Sequence, residues 1–422
     1  GFVFGESGSE NVIKCGSYTG NGSSTGPEIN LGFEPQWLMW KCTDLSEPWY
    51  MSDSMRGIVS AGNDNTLLPN SNQAENVANW DLLDLTSTGF KLKESDDKIN
   101  GDGHNYIYIA IRRPDGYVGK PPELGTDVFA MATGNSSGSI PNFVSGFPVD
   151  YQINRQPATS QSWYTGSRLT SKKYLLTDTN AAEGDAAVYT YDSNTGWCNH
   201  NYSSSYQAWM WKRHAGFDVV TYEGNGSAGH VIPHSMNKIP EMMWIRRRNA
   251  TEHWEIYHKG LNGGTNPQNY GIKFFDTAEH SSGSDRWDAP TATSITVNTD
   301  NGTNNSSGTF IAMLFASVSG ISSVGSYTGD DSDDGSHVID VGFTPRFLII
   351  KRSDGSADWK VFDTTNGFPT SGTSNYLELN TTDARYSGSG ITVTQTTNGF
   401  KLWSPGSPYN ANNAKYIYYA HA

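Results

Sequence analysis

A phrase that recurs along the 422-residue chain constrains its fold more than any bulk property. It reads GFEPQWLMWK at 32–41, GFTPRFLIIK at 342–351 and, more loosely, NKIPEMMWIR at 237–246. A tryptophan follows each proline by 14 residues, giving the pairs Pro35 and Trp49, Pro240 and Trp254, and Pro345 and Trp359. A tyrosine precedes each proline by 17 or 18 residues, at Tyr18, Tyr222 and Tyr327. Asn70, Asp276 and Asn380 follow the tryptophans by 21 or 22, and each copy closes on an alternating segment such as YIYIAI or YIYYAHA. A divergent copy fills the remaining gap, with SGFPVDYQINR from Ser145 and Trp163 fifteen residues after Pro148. Repetition at this period means tandem copies of one folding unit, with expected spans 1–122, 123–215, 216–320 and 321–422.

The repeated features have mechanical readings. In GFxP, glycine permits a turn and proline is tolerated only where no ladder N–H is needed, so the pair marks entry to a strand. The following residues are apolar on both faces, as a strand between two layers requires. KRSDGSADWKVFD then runs through a Ser-Asp-Gly turn into a partner strand, a hairpin signal that places Trp49, Trp254 and Trp359 as core anchors. Gly, Asn, Ser and Thr interrupt every stretch before a helical period could develop. The expectation is an all-β chain of four tandem antiparallel β-sandwich modules, jelly-roll or lectin-like, each of about 100 residues around its own core.

Charge narrows the partners. A net charge of -14 opposes a phosphate-backbone role, because nucleic-acid binding depends on Lys and Arg neutralising phosphates. No apolar run approaches the roughly 18 residues that a bilayer-spanning helix needs, so no membrane insertion is expected. Three cysteines cannot form a disulfide framework. Cys15 aligns with Val219 and Val324 and is expected in an apolar core site, whereas Cys42 aligns with Arg247 and Arg352, which argues against a bond between Cys15 and Cys42.

The phrases GSYTGNGSSTG and GFEPQWLMWK, the block RRPDGYVGKPPELGTDVFAM, the stretch WMWKRHAGFDVVTYEGNG and the end IYYAHA resemble the repeat module of large virion proteins of marine, cyanophage-like bacteriophages. The resemblance implies a non-enzymatic structural component, tail-fibre-like, displayed on the virion surface. Its implied partners are other virion proteins, copies of itself as a homo-oligomer, and host surface glycan. It carries no catalytic motif across. Relatives of this kind hold further units upstream, which would make Gly1 an interior residue. A glycan-degrading tailspike-type enzyme and a capsid decoration protein without receptor role are the alternatives.

Few constellations compete with that expectation. Asp330, Asp331, Asp333 and Asp334 crowd carboxylates enough for a hard cation such as Ca2+, although their spacing is not that of an EF-hand and sister units carry NGSSTG or EGNGSAG there. A solvated hairpin tip is the competing reading, and no other cofactor is expected. His253 and His258 flank WEIY, but Asp53 and Asp363 occupy the position of His258 in sister units, which suggests hydrogen bonding at a strand end rather than metal or base chemistry. No acidic pair stands out for glycoside hydrolysis, and no GxSxG elbow is present. Trp80, Trp197, Trp287 and Trp403 fall outside the repeated positions and are the candidate ligand-stacking aromatics, with packing beneath long loops as the alternative.

Overall fold

The computed structural model describes residues 12–76, 80–113, 119–275, 278–281, 283–388, 392–406 and 408–422. Asp276 and residues 114–118 of the expected connector lie outside them. Among the described residues there are eight antiparallel sheets, and they pair into four sandwich-like modules. Unit 4 shows the pattern. Its first strand, Ser322–Thr328, lies beside its last, Lys415–His421, which lies beside Phe347–Arg352, followed by Lys360–Asp363 and Leu377–Glu378. Val338–Asp340, Gly399–Leu402 and Val393–Thr396 form the second layer. This nesting of first beside last recurs in unit 1 (Ile13–Thr19 beside Asn105–Arg112), unit 2 (Phe129–Thr133 beside Gln207–Trp211) and unit 3 (Phe217–Glu223 beside Thr309–Phe315).

The recurring phrase enters its strand as expected. Gly32, Gly146 and Gly342 have φ of 79°, 86° and 85°, a left-handed turn that glycine adopts without cost, and unit 3 places Asn237 there at 53°. The hairpin of KRSDGSADWKVFD forms with Ile350 opposite Lys360.

The expectation that each unit folds around its own core needs correction. Units 2, 3 and 4 do have separate sandwich interiors, built on Trp197, Trp287 and Phe400 respectively. The largest cluster, however, is shared, and it joins the outward faces of the large sheets of those three units to the interior of unit 1. Both faces of the phrase strands Met242–Arg247 and Phe347–Arg352 are therefore buried, which is why the phrase is apolar on both. Ring contacts cross each boundary among units 2, 3 and 4: Phe129 to Phe347 at 5.2 Å, Tyr151 to Phe217 at 5.9 Å, Phe274 to Trp359 at 5.4 Å and Phe315 to Tyr419 at 4.9 Å. Each buried aromatic of this kind contributes roughly 1.5–3 kcal/mol.

Units 2, 3 and 4 close into a ring with approximate threefold repetition. Trp163 of unit 2 donates its indole N–H to the Glu378 carbonyl of unit 4 at 2.7 Å. Trp359 of unit 4 donates to the Lys273 carbonyl of unit 3 at 3.3 Å, and Trp254 of unit 3 to the Leu176 carbonyl of unit 2 at 2.7 Å. The repeat tryptophans are anchors, but of the inter-unit core.

Unit 1 sits outside this ring, against units 2 and 3. Ser60 donates its N–H to the Leu169 carbonyl at 2.9 Å, and Lys91 pairs with Glu223 at 2.7 Å. A buried ionic hub locks the junction: Arg213 binds Glu34 at 2.6 Å and Asp218 at 2.7 Å, while Arg113 binds Asp150 at 2.9 Å. Burial works against the Asp150 charge, yet Arg113, Arg168 and Arg213 more than offset it and hold its carboxyl below the usual range.

Candidate functional site

Among the described residues, the polar residues that recur with the repeat are engaged. Tyr18, Tyr222 and Tyr327 donate their hydroxyls to the carbonyls of Ile99, Thr303 and Tyr409 at 2.8, 2.7 and 2.7 Å. Asn70 and Asn380 accept the backbone N–H of Trp49 and Trp359, which explains their common spacing of 21 residues after the tryptophan, and in unit 2 Asp178, 15 residues on, accepts that of Trp163. A third device was not apparent in the sequence. Asn100, Asn304 and Asn410, all fully buried, clamp the loop after the repeat tyrosine from both amide ends.

That clamp accounts for part of the acidic run. Asp330 accepts from Asn410 Nδ2 at 2.9 Å and lies 3.1 Å from His337 Nδ1, and its carboxyl is held down to about 2: slight burial opposes this, and hydrogen bonds from Ser332 and Asn410 prevail. Asp331 accepts the Gly406 N–H at 2.7 Å and Asp334 that of Ser336 at 2.9 Å, while Asp333 is exposed. Among the described residues no three carboxylate, imidazole or thiol groups converge as a metal site.

Two of the four candidate stacking aromatics require correction. Trp197 is 0% exposed and Trp287 1% exposed, so neither offers a face to a ligand, because each fills the interior of its own sandwich. Trp80 and Trp403 are half-buried, with Lys98 4.8 Å over the first ring and Lys401 6.0 Å over the second. His253 is half-buried beside Phe275. His258 is buried at a unit boundary, its Nδ1 accepting the Gly260 N–H and its Nε2 3.2 Å from the Tyr418 carbonyl of unit 4. Its counterpart Asp363 accepts from Trp209 Nε1 of unit 2 at 3.2 Å. Cys42 and Cys198 are buried free thiols, and burial pushes the Cys198 thiol up to about 12.

Two clefts lie at the unit 1 junction. One of about 380 Å3 is edged by Arg113, Arg168, Lys212, Glu34, Met55 and Pro148, in the size range of small-molecule sites. The other, about 160 Å3, runs between units 1 and 3 and is lined by Asp84, Glu223, Lys91 and Arg248. Two of its carboxylates are committed: Glu223 pairs with Lys91 and Lys93, and Asp84 lies 3.7 Å from Lys93 Nζ. Nearby, burial pushes the Asp81 carboxyl up to about 7.

The most distinctive surface is the outward face of the large sheet of unit 1. Its positions correspond by register to those that build the shared core elsewhere. Cys15 opposes Ile109 as Val219 opposes Met313 and Val324 opposes Tyr419. Cys15 is nevertheless exposed where Val219 and Val324 are buried, so the expectation of a core thiol is overturned. Ile107 is 41% exposed, against 3% for Ile311 and 1% for Ile417.

No curated protein matches the chain. A family profile matches residues 7–113 and 179–422, well over half of its length. The chain belongs to that family, whose description is a domain of unknown function, DUF7483.

Proposed function

We propose that the protein is a non-enzymatic structural component of a bacteriophage particle, part of a tail fibre or similar appendage at the virion surface that contacts the host. What supports this reading is the use made of the recurring polar residues. The repeat tyrosines, clamp asparagines, tryptophan-binding Asn and Asp residues and ring cations all hold backbone in place, so the repeat encodes architecture and leaves variation to loop positions. Many such loops on associated copies would act together on a host surface, where weak contacts multiply.

Labelling purified virions with an antibody against the folded chain, viewed by electron microscopy, tests the assignment. Label on tail appendages is the expected outcome. Label on the capsid would make it a decoration protein, and no label on any particle would overturn the proposal. Release of reducing ends from host-envelope glycan by the purified protein would instead identify an enzyme.

A further inference from the structure

The ring of units 2, 3 and 4 shows what the outward face of this module does when satisfied. In each ring unit the positions equivalent to Trp37, Met39, Ile107 and Ile109 are buried: Met242, Trp244, Ile311 and Met313 in unit 3, and Phe347, Ile349, Ile417 and Tyr419 in unit 4. Unit 1 keeps the same stripe, but it is half-buried or exposed. It also keeps the two accessory parts. Lys41 stands where Arg155, Arg246 and Lys351 stand in the ring, its Nζ donating to the Cys42 and Leu45 carbonyls at 2.6 and 3.1 Å. Trp49 stands where Trp163, Trp254 and Trp359 send their indole N–H to a neighbouring unit, and its own indole N–H meets no acceptor among the described residues.

We infer that three copies of the chain associate through unit 1, whose outward faces form a second threefold core about a true symmetry axis. The intramolecular ring closes at three modules, so three unit 1 faces, one from each copy, complete the same arrangement. The contact is heterologous, each face meeting the next, and it closes because its rotation is the one already realised within the chain. The Trp49 indole N–H would then find its acceptor on the adjacent copy, near Leu68, the position equivalent to Leu176 in unit 2. Lys41 does not oppose this packing, because the ring buries a cation at the same place three times, at Arg155, Arg246 and Lys351, each with carbonyl acceptors. The inference is independent of the particle assignment.

Light scattering on the purified chain, with thiol labelling of Cys15, tests it. The expected mass is that of three chains at micromolar concentration, with Cys15 masked and becoming reactive on dilution. Ile109→Glu, at the centre of the stripe, should shift the mass to one chain and expose Cys15 while leaving circular dichroism unchanged. Cys42 and Cys198 should stay unreactive in both. A single-chain or two-chain mass at every concentration would overturn the inference, as would a trimer that leaves Cys15 reactive, or a single chain in which Cys15 is masked by its own residues. Should Ile109→Glu fail to fold, the dilution series on the unaltered chain decides alone.

Discussion

The final residue of the recurring phrase shows how much one position can carry. Lys351, Arg246 and the unit 2 counterpart Arg155 are fully buried cations. Arg155 lies 4.7 Å over Trp163 and donates to the Thr382 and Asp383 carbonyls of unit 4, and Arg246 lies 6.0 Å over Trp254 and donates to the Ala181 carbonyl of unit 2. The tryptophan beneath is equally committed, so Trp254→Ala removes a buried indole and its hydrogen bond to Leu176. The expected cost is about 3–5 kcal/mol in denaturant unfolding, whereas Trp49→Ala, at a half-buried site, should cost less in a dilute single chain. Buried histidines add a pH dependence. Burial pushes His258 down to about 4 and His421 down to about 3, and holds His214 well below its ordinary value. These folded-state values lie below the unfolded value, so the unfolded chain takes up protons that the folded chain refuses. Stability is therefore complete above pH ~6.5 and falls as pH drops toward 4, by on the order of 3 kcal/mol for His258 alone. Thermal melts from pH 7 to 4 should show that decline, and His258→Gln should make it shallower.

Loops and strands divide the work within each unit. Asn304 holds the loop that begins at Gly224 through hydrogen bonds with Asn225, Ser227 and Asn298. Asn304→Ala should cost about 1–3 kcal/mol, because it leaves buried backbone groups without partners. Hydrogen exchange should quicken in residues 224–230 and leave the strand Thr309–Phe315 protected. The strands themselves were legible in the sequence, since GFxP, the Ser-Asp-Gly turn and the closing alternation each have a local cause. The asparagine clamp was not, because Asn100, Asn304 and Asn410 lie about 80 residues from the loops they hold and Asn is common throughout the chain. Trp197 and Trp287 could not be told from exposed aromatics for a similar reason: short strands pairing at long range, Phe143–Val144 with Gly196–Trp197 and His230–Pro233 with Ser294–Val297, decide their burial.

At the scale of the whole molecule, the apolar character of both strand faces was visible in the sequence, but it did not say that the second layer would be other units. Cys15 gave the contrary signal, a position equivalent to two valines that ends exposed because unit 1 lies outside the ring. A shared core makes units 2, 3 and 4 interdependent, so unit 4 alone would expose Phe347, Ile349 and Tyr419 and should be unstable or aggregate, as its sedimentation and near-ultraviolet circular dichroism would show. The most direct test of that interdependence is native-state hydrogen exchange on the intact chain carrying Trp359→Ala. The shared core predicts that protection falls together in the strands Tyr151–Arg155, Trp254–His258 and Lys360–Asp363. Loss confined to the unit 4 strand, with the other two unchanged, would contradict it.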